Sequence, residues 1–369
     1  MKATFLTENL QKILIFLNHA VSGNSQLEIL STFQIIAEKG RLFVNATDLE
    51  IGISSSIPAN IEKEGSVCVP AKTFSDLVSN ITEEKISIET QDKSLVLKGK
   101  KIKMVFQTQP QEEFPSLYED KGEEVAVFKK ETVLKDFNKV VFAASQDSSR
   151  PALSGVLIKK EKEVFLMVAT DGYRLSLKDN IAIKTKKREA VDGLLLSARV
   201  VRELASIKQE EDISLFVSNK NNQAVFVQGE TTLVGRLIEA EYPSYEKIIP
   251  TDFGTKAEFD KNEMQKAVKL CSVFARETAN IVKISLKKDK VIVSANTPSA
   301  GENTAEIDAK TTGEENEIAF NARYLLDLFS NIEDENMTFE MAGPLSPGVF
   351  KIAGDNSFLH LIMPIRVQG

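Results

Sequence analysis

The chain repeats itself three times, and that constrains its fold more than any single motif does. Four kinds of segment recur in the same order across its 369 residues. The first is an amphipathic helix, with apolar residues at helical spacing such as Leu10, Ile13, Leu14 and Leu17, or Met264, Ala267, Val268 and Cys271. Its middle copy starts at Leu134, and Asp260 with Glu263 gives the third copy a capping-box start. The second is a strand entering a turn: Phe43–Asp48, Met167–Asp171 and Ile292–Thr297. The third is another helix, following Val69-Pro-Ala, Leu196-Ser-Ala and Phe320-Asn-Ala. The fourth is a strand pair bent at Gly99, Gly229 and Gly354. Offsets between the first two copies are 124, 123, 127 and 130 residues, and between the last two 130, 126, 124 and 125. One period of about 123 residues fits all four.

Three domains follow, with boundaries at 1–123, 124–251 and 252–369. The junctions carry Glu113-Phe-Pro-Ser and Tyr242-Pro-Ser-Tyr, whose prolines interrupt regular structure. Between the helical segments lie short alternating runs, for example Ile86-Ser-Ile-Glu and Val225-Phe-Val-Gln. The expected class is α+β, each domain holding two helices on an antiparallel sheet.

Composition excludes several functions. With only His19 and His360, a Ser-His-Asp triad or a histidine metal site lacks material. His19 reads as a solvated or capping residue and His360 as part of an apolar strand. No phosphate-binding glycine loop occurs, and no cofactor or metal is expected. Asp147-Ser148-Ser149-Arg150 and Asp171-Gly172 read as turns, and the pairs Glu112-Glu113 and Glu123-Glu124 as solvated linker charge. Cys68 and Cys271 stand far apart, a reduced, cytoplasmic pattern with both thiols in the core. The amino-terminal apolar run Ile13–Leu17 is too short for a signal peptide, and no stretch has the length of a membrane span.

The net charge of −7 argues against a bulk cationic DNA binder. The distribution points elsewhere. Six helical stretches (7–22, 72–80, 131–145, 197–208, 261–276 and 321–329) hold twelve Lys or Arg and seven Asp or Glu. The remainder holds 34 basic and 46 acidic residues. A helical face meeting phosphate needs such a bias.

Ala46-Thr-Asp-Leu-Glu50, Val69-Pro-Ala-Lys72, Glu113-Phe-Pro-Ser-Leu117, Arg150-Pro-Ala-Leu-Ser-Gly155, Ala169-Thr-Asp-Gly-Tyr-Arg-Leu175, Tyr242-Pro-Ser-Tyr245, Phe320-Asn-Ala-Arg-Tyr-Leu-Leu326 and Met363-Pro-Ile-Arg366 occur in this order. With them the whole chain resembles the bacterial DNA polymerase III beta subunit family, the sliding clamps. The resemblance implies a non-catalytic processivity factor: a head-to-tail homodimer closed into a ring, helices lining the hole and sheets outside. Its partners would be duplex DNA, held by topology, and DNA polymerase, clamp-loader subunits and repair proteins, held through short linear peptides.

The resemblance also assigns positions. It places the dimer contact at Met104 and Phe106 against Val273 and Phe274. Lys72, Arg150, Arg199 and Arg202 would face phosphate. Asn24 stands where the family often has a basic residue and Glu28 where it often has proline. A peptide groove would be built from Leu153, Thr170, Gly172, Tyr173, Arg174 and Leu175 of the second domain. The second junction adds Pro243, Lys247 and Ile248, and the third domain adds Asn321, Tyr324 and Leu345. The terminal Met363, Pro364, Ile365 and Arg366 complete it, with Val367-Gln368-Gly369 able to shade one side. Two other readings remain open on the sequence: a tandem scaffold that never encircles DNA, and a hydrolase using Asp147 or Ser148.

Overall fold

A computed structural model describes residues 1–366 except 24, 119, 148, 162–163, 187–190, 208, 278 and 298–300. The Asn24, Ser148 and Val367–Gly369 readings therefore lie outside the described residues.

The first repeat runs β1 (Lys2–Leu6), α1 (Thr7–Leu17), β2 (Thr32–Glu38), β3 (Arg41–Thr47), β4 (Ile51–Pro58), β5 (Asn60–Lys63) and β6 (Gly65–Pro70). It ends with α2 (Ala71–Ser79), β7 (Lys85–Gln91), β8 (Ser94–Lys98) and β9 (Lys103–Gln107). The second begins with β10 (Glu123–Phe128), α3 (Lys130–Thr132) and α4 (Asn138–Val141), the two short helices joined by a π-helical turn at Val133–Phe137. Then come β11 (Gly155–Glu161), β12 (Val164–Thr170), β13 (Arg174–Ile181), β14 (Ile183–Thr185) and β15 (Leu194–Ser197). It closes with α5 (Ala198–Ser206), β16 (Ile213–Ser218), β17 (Gln223–Gln228) and β18 (Thr231–Arg236).

The third repeat is β19 (Thr255–Asp260), α6 (Lys261–Ala275), β20 (Ile281–Lys287), β21 (Lys290–Thr297), β22 (Gly301–Gly313) and β23 (Asn316–Asn321). It finishes with α7 (Ala322–Asn331), β24 (Asn336–Met341), β25 (Gly348–Ile352) and β26 (Asp355–Ile362). The order strand, helix, strands, helix, three strands thus occurs three times. In the third copy the single long β22 pairs with β21 along Gly301–Asp308 and with β19 along Ala309–Gly313. It does alone what β4 with β5, and β13 with β14, do in the other two.

Each helix is held by its apolar stripe. On α1 the buried side chains are Leu10, Leu14 and Leu17, and on α6 they are Met264, Ala267, Val268 and Cys271, the residues whose spacing predicts them. Asp260 caps α6 by accepting from the Glu263 amide at 2.8 Å. Both cysteines are buried, and burial pushes the Cys68 thiol up to about 11.

The chain packs as two compact units that do not follow the repeat boundaries. The first holds residues 1–131, 183–191 and 199–237; the second holds 132–182, 192–198 and 238–369. Strand pairing across repeats is the reason. In the first unit β18, the last strand of repeat two, pairs with β4 of repeat one, Leu233 opposite Ile53. In the second unit β26, the last strand of repeat three, pairs with β13 of repeat two, His360 opposite Ser176. Each neighbour therefore claims part of the middle repeat.

His360 lies fully buried in that second joint. Its Nδ1 meets Ser176 Oγ at 2.6 Å, and its Nε2 has no hydrogen-bond partner among the described residues. Burial holds its imidazole well below the ordinary range, and the charge of Arg174 adds to this. An unfolded histidine takes a proton near pH 6.5 while the buried one stays neutral, so the native state is fully favoured above that pH. Stability should then fall as pH drops from about 6.5, by about 1.4 kcal/mol per pH unit for this one group. Urea denaturation between pH 7.5 and 5.5 measures it, and His360→Asn should remove that part of the slope.

Candidate functional site

The Ala-Thr-Asp motif builds a turn that is repeated bond for bond. In repeat two Thr170 Oγ1 donates to the Arg174 carbonyl at 2.6 Å and accepts from the Gly172 amide at 3.0 Å. Asp171 Oδ1 accepts from the Tyr173 and Arg174 amides at 2.9 and 3.0 Å. In repeat one Thr47 bonds the Ile51 carbonyl and the Leu49 amide, and Asp48 Oδ1 accepts from Glu50 and Ile51. Short polar side chains that bond their own backbone fix this shape. Gly172 adopts φ +91°, where glycine carries no Cβ penalty.

The two turns differ in what holds the aspartate's other oxygen. In the second unit it is Arg174, whose Nε lies 3.1 Å from Asp171 Oδ2. Its Nη1 lies 2.6 Å from Asp327 on α7, and its Nη2 donates to the Phe142 carbonyl at 3.1 Å. The guanidinium also lies 4.7 Å from the Tyr324 ring centre and 5.6 Å from that of Phe142. Phe142 stacks on His360 at 5.2 Å, and Tyr324 stacks on Tyr173 at 6.5 Å. A continuous pile of His360, Phe142, Arg174, Tyr324 and Tyr173 thus runs from the core to the surface. It ends at Tyr173, which is 59% exposed.

Of the expected groove positions, Tyr173, Arg174 and Tyr324 belong to this pile. The terminal segment is pinned beside it: the Met363 amide donates to the Tyr173 carbonyl and the Ile365 amide to the Ala319 carbonyl, both at 2.8 Å. Asn321 caps α7 by accepting from the Arg323 amide. Leu345, 65% exposed, joins Pro344, Ile318, Ile365 and Arg366 around a cavity of about 350 Å³. Leu175 is buried in a cluster with Tyr245 and Tyr242. Half-buried Leu153 sits on the turn Pro151–Ser154, and exposed Lys247 and Ile248 on the turn Tyr245–Ile248. Pro243 is exposed and half-buried Pro364 follows Met363 in the strap. Thr170, Arg174 and Leu175 are frame residues, while Tyr173, Ile248, Leu345 and Met363 present apolar surface. Sequence reading missed Phe142, Asp327 and His360, which complete the pile. A cavity of about 630 Å³ beside α1 in the first unit shares no residue with this groove.

The cations expected to face phosphate are less uniform. Lys72 on α2, Arg150 beside the second-unit turn and Arg202 on α5 are exposed. Arg199 is different. Its Nη2 lies 2.5 Å from Asp48 and its Nη1 2.8 Å from Glu50, and it also donates to the His19 carbonyl. Two carboxylates engage it, so within this chain it holds the repeat-one turn. His19 in turn lies 2.6 Å from Glu203. Other helical cations are also engaged: Lys130 with Glu210, Lys139 with Asp334, and buried Lys261 with the Ile332 carbonyl. On α6, exposed Lys266 and Lys269 make no ion pair among the described residues; their i, i+3 spacing was the available signal.

Of the positions expected at a dimer contact, Val273 on α6 is 53% exposed and Met104 on β9 half-buried. Phe106 is 4% exposed, its ring 5.2 Å from that of Phe74, so it belongs to the first unit's own core. Phe274 packs against the third-repeat core. The hydrolase reading loses support: Asp147 accepts from the Ser149 amide, and those hydrogen bonds lower its carboxyl, as in a turn. Glu28 lies exposed in a short 3₁₀ turn.

Comparison with known proteins decides the family. Residues 1–118 match the DNA polymerase III beta subunit, N-terminal domain; residues 128–244 match its central domain and 246–366 its C-terminal domain. The chain belongs to the DNA polymerase III beta subunit family. It is 28% identical over 363 residues to the beta sliding clamp of Staphylococcus aureus, covering 94% of each chain. It is 26% identical over 376 residues to that of Synechococcus elongatus, covering both chains fully. Its fold matches the DNA polymerase sliding clamp of Bacillus subtilis with a TM-score of 0.91 at 26% identity, again over all of both chains.

Removing the Arg174 guanidinium would leave Asp171 and the Phe142 carbonyl poorly compensated. Arg174→Met should destabilise the second unit by about 2–4 kcal/mol. Lys247→Met, on an exposed turn, should change stability by less than about 0.5 kcal/mol. Urea denaturation of the two variants checks this contrast.

Proposed function

We propose that two copies of the chain close head to tail into a ring around duplex DNA. The ring is a cytoplasmic sliding clamp that tethers the replicative polymerase without chemistry of its own. The observation that carries this reading is the pattern of strand pairing. Twice within the chain, the last strand of one repeat pairs with the fourth strand of the repeat before it, β18 with β4 and β26 with β13. One strand of each kind is left over. β9, the last strand of repeat one, is an edge of its five-stranded sheet. The Gly301–Asp308 half of β22 has β21 on one side and no strand on the other among the described residues. β9 of one copy supplies what β22 of another lacks. Making that contact twice closes a ring in which neither β9 nor the Gly301–Asp308 half of β22 is left without a neighbour.

The side chains support the same joint. Val105 on β9 and Leu270 and Val273 on α6 are exposed apolar residues, and half-buried Met104 precedes Val105 on β9. Around DNA, Lys72, Arg150, Arg202, Lys266 and Lys269 would meet phosphate. Because the ring is held by topology, weak and sequence-independent contacts suffice, and tight base readout would stop it sliding. No helix among the described residues is long and apolar enough to cross a membrane.

The groove at Tyr173, Tyr324, Leu345 and Met363 would take extended peptides of the polymerase, clamp-loader subunits and repair proteins. Exposed aromatic and aliphatic side chains there suit hydrophobic anchors, and a methionine adapts to more than one of them.

The purified chain should sediment at about twice 40.9 kDa. Once assembled on a nicked circular plasmid it should stay with that plasmid through gel filtration and leave when the plasmid is cut. Val273→Arg should weaken the dimer at least about tenfold and abolish retention. Equal retention on circular and cut DNA would contradict the ring.

A further inference from the structure

Pro243, at the edge of the proposed groove, also walls a second cavity of about 340 Å³. Tyr242, Tyr245, Lys159, Glu246, Asp192 and Ser244 line it as well. The two spaces share a foundation: Leu175 under the groove and Tyr242 and Tyr245 beside the cavity belong to one apolar cluster. The tyrosine rings meet edge to face with centres 6.4 Å apart, and Tyr242 is tied down by its hydroxyl to the Val168 carbonyl at 3.3 Å. The floor of the cavity is therefore packed onto the residues that hold Leu175.

The charges in the cavity do not balance. Lys159 and Glu246 pair at 2.7 Å, and the Lys159 ammonium lies over the Tyr245 ring at 5.6 Å. Those two charges cancel. Asp192 accepts the Lys160 amide at 2.7 Å, and no cation among the described residues forms an ion pair with it. Among the described lining residues, Lys159, Glu246 and Asp192 sum to one negative charge, in a cavity walled by tyrosine.

We propose that this cavity takes a basic side chain, lysine or arginine, lying just outside the hydrophobic anchors of a peptide bound in the groove. The inference rests on reading the groove as a peptide site and adds a charge preference to it. A peptide passing over Pro243 would set its flanking cation beside the Asp192 carboxylate, with tyrosine rings and the Ser244 hydroxyl as the remaining walls. Both an aromatic wall and a net negative lining favour a cation over a neutral or acidic residue.

The test uses the full-length protein and fluorescein-labelled peptides with leucine and phenylalanine anchors in a serine background. Each is extended at one end or the other by arginine, serine or glutamate, and binding is followed by fluorescence polarisation. Arginine at one end should tighten binding about three- to fivefold over serine, and glutamate there should weaken it. Asp192→Asn should remove the arginine gain while leaving the serine-flanked peptide unchanged. Lys159→Met, which releases Glu246, should enlarge the gain. Equal binding of all flanks, or a gain that survives Asp192→Asn, would overturn the charge preference alone. Failure of every peptide to bind would overturn the groove, and this inference with it.

Discussion

Hydrogen bonding between strands of different repeats is the constraint on which the rest of this structure depends. Each repeat has its own helices and its own apolar residues, so it might have folded as a separate bead. Instead the fourth strands of the first two repeats are completed by the last strand of the repeat that follows. An open edge of this kind exposes a row of unpaired amides and carbonyls, which invites association. Three repeats in a line satisfy two such joints and leave two edges over. In the proposed ring a second copy satisfies both with the same geometry.

The joint in the second unit also organises the groove. β13 must emerge from the Thr-Asp turn next to β26, which places Arg174 over the rings of Phe142 and Tyr324. A guanidinium engaged by two carboxylates, a carbonyl and two aromatic faces is fixed in position. It acts as a keystone for the exposed tyrosines. The first unit uses the same turn differently. There Arg199, from α5, holds Asp48 and Glu50, and Ile51 occupies the position of Arg174. Among the described residues no comparable aromatic pile stands beside that turn, so one turn is buttressed toward an apolar surface and its relative is latched by an ion pair.

Much of this was legible in the sequence because it depends on local chemistry. The stripe on α6, its Asp260 cap and the glycine at the Asp171-Gly172 turn follow from spacing and backbone preference. The groove positions came through resemblance, and the structure gathers Tyr173, Tyr324, Ile365 and Met363 in one place. What could not be read depends on contacts distant in the chain. Phe142 and His360 looked like ordinary apolar-strand or helix residues until the fold stacked them. Arg199 looked like a surface cation because Asp48 lies about 150 residues away in the chain. The charge surplus of the helices likewise overstated what faces outward, since Lys130, Lys139 and Lys261 find partners only after folding. Where the compact units divide was hidden for the same reason, because pairing across repeats decides it.

Amide hydrogen exchange resolved by segment, followed over a range of protein concentrations, tests the central claim most directly. The outward amides of Lys103–Gln107 and of Gly301–Asp308 should be protected together at high concentration and lose protection together on dilution, while β4 and β18 stay protected throughout. Free exchange of both edges at every concentration would contradict the account.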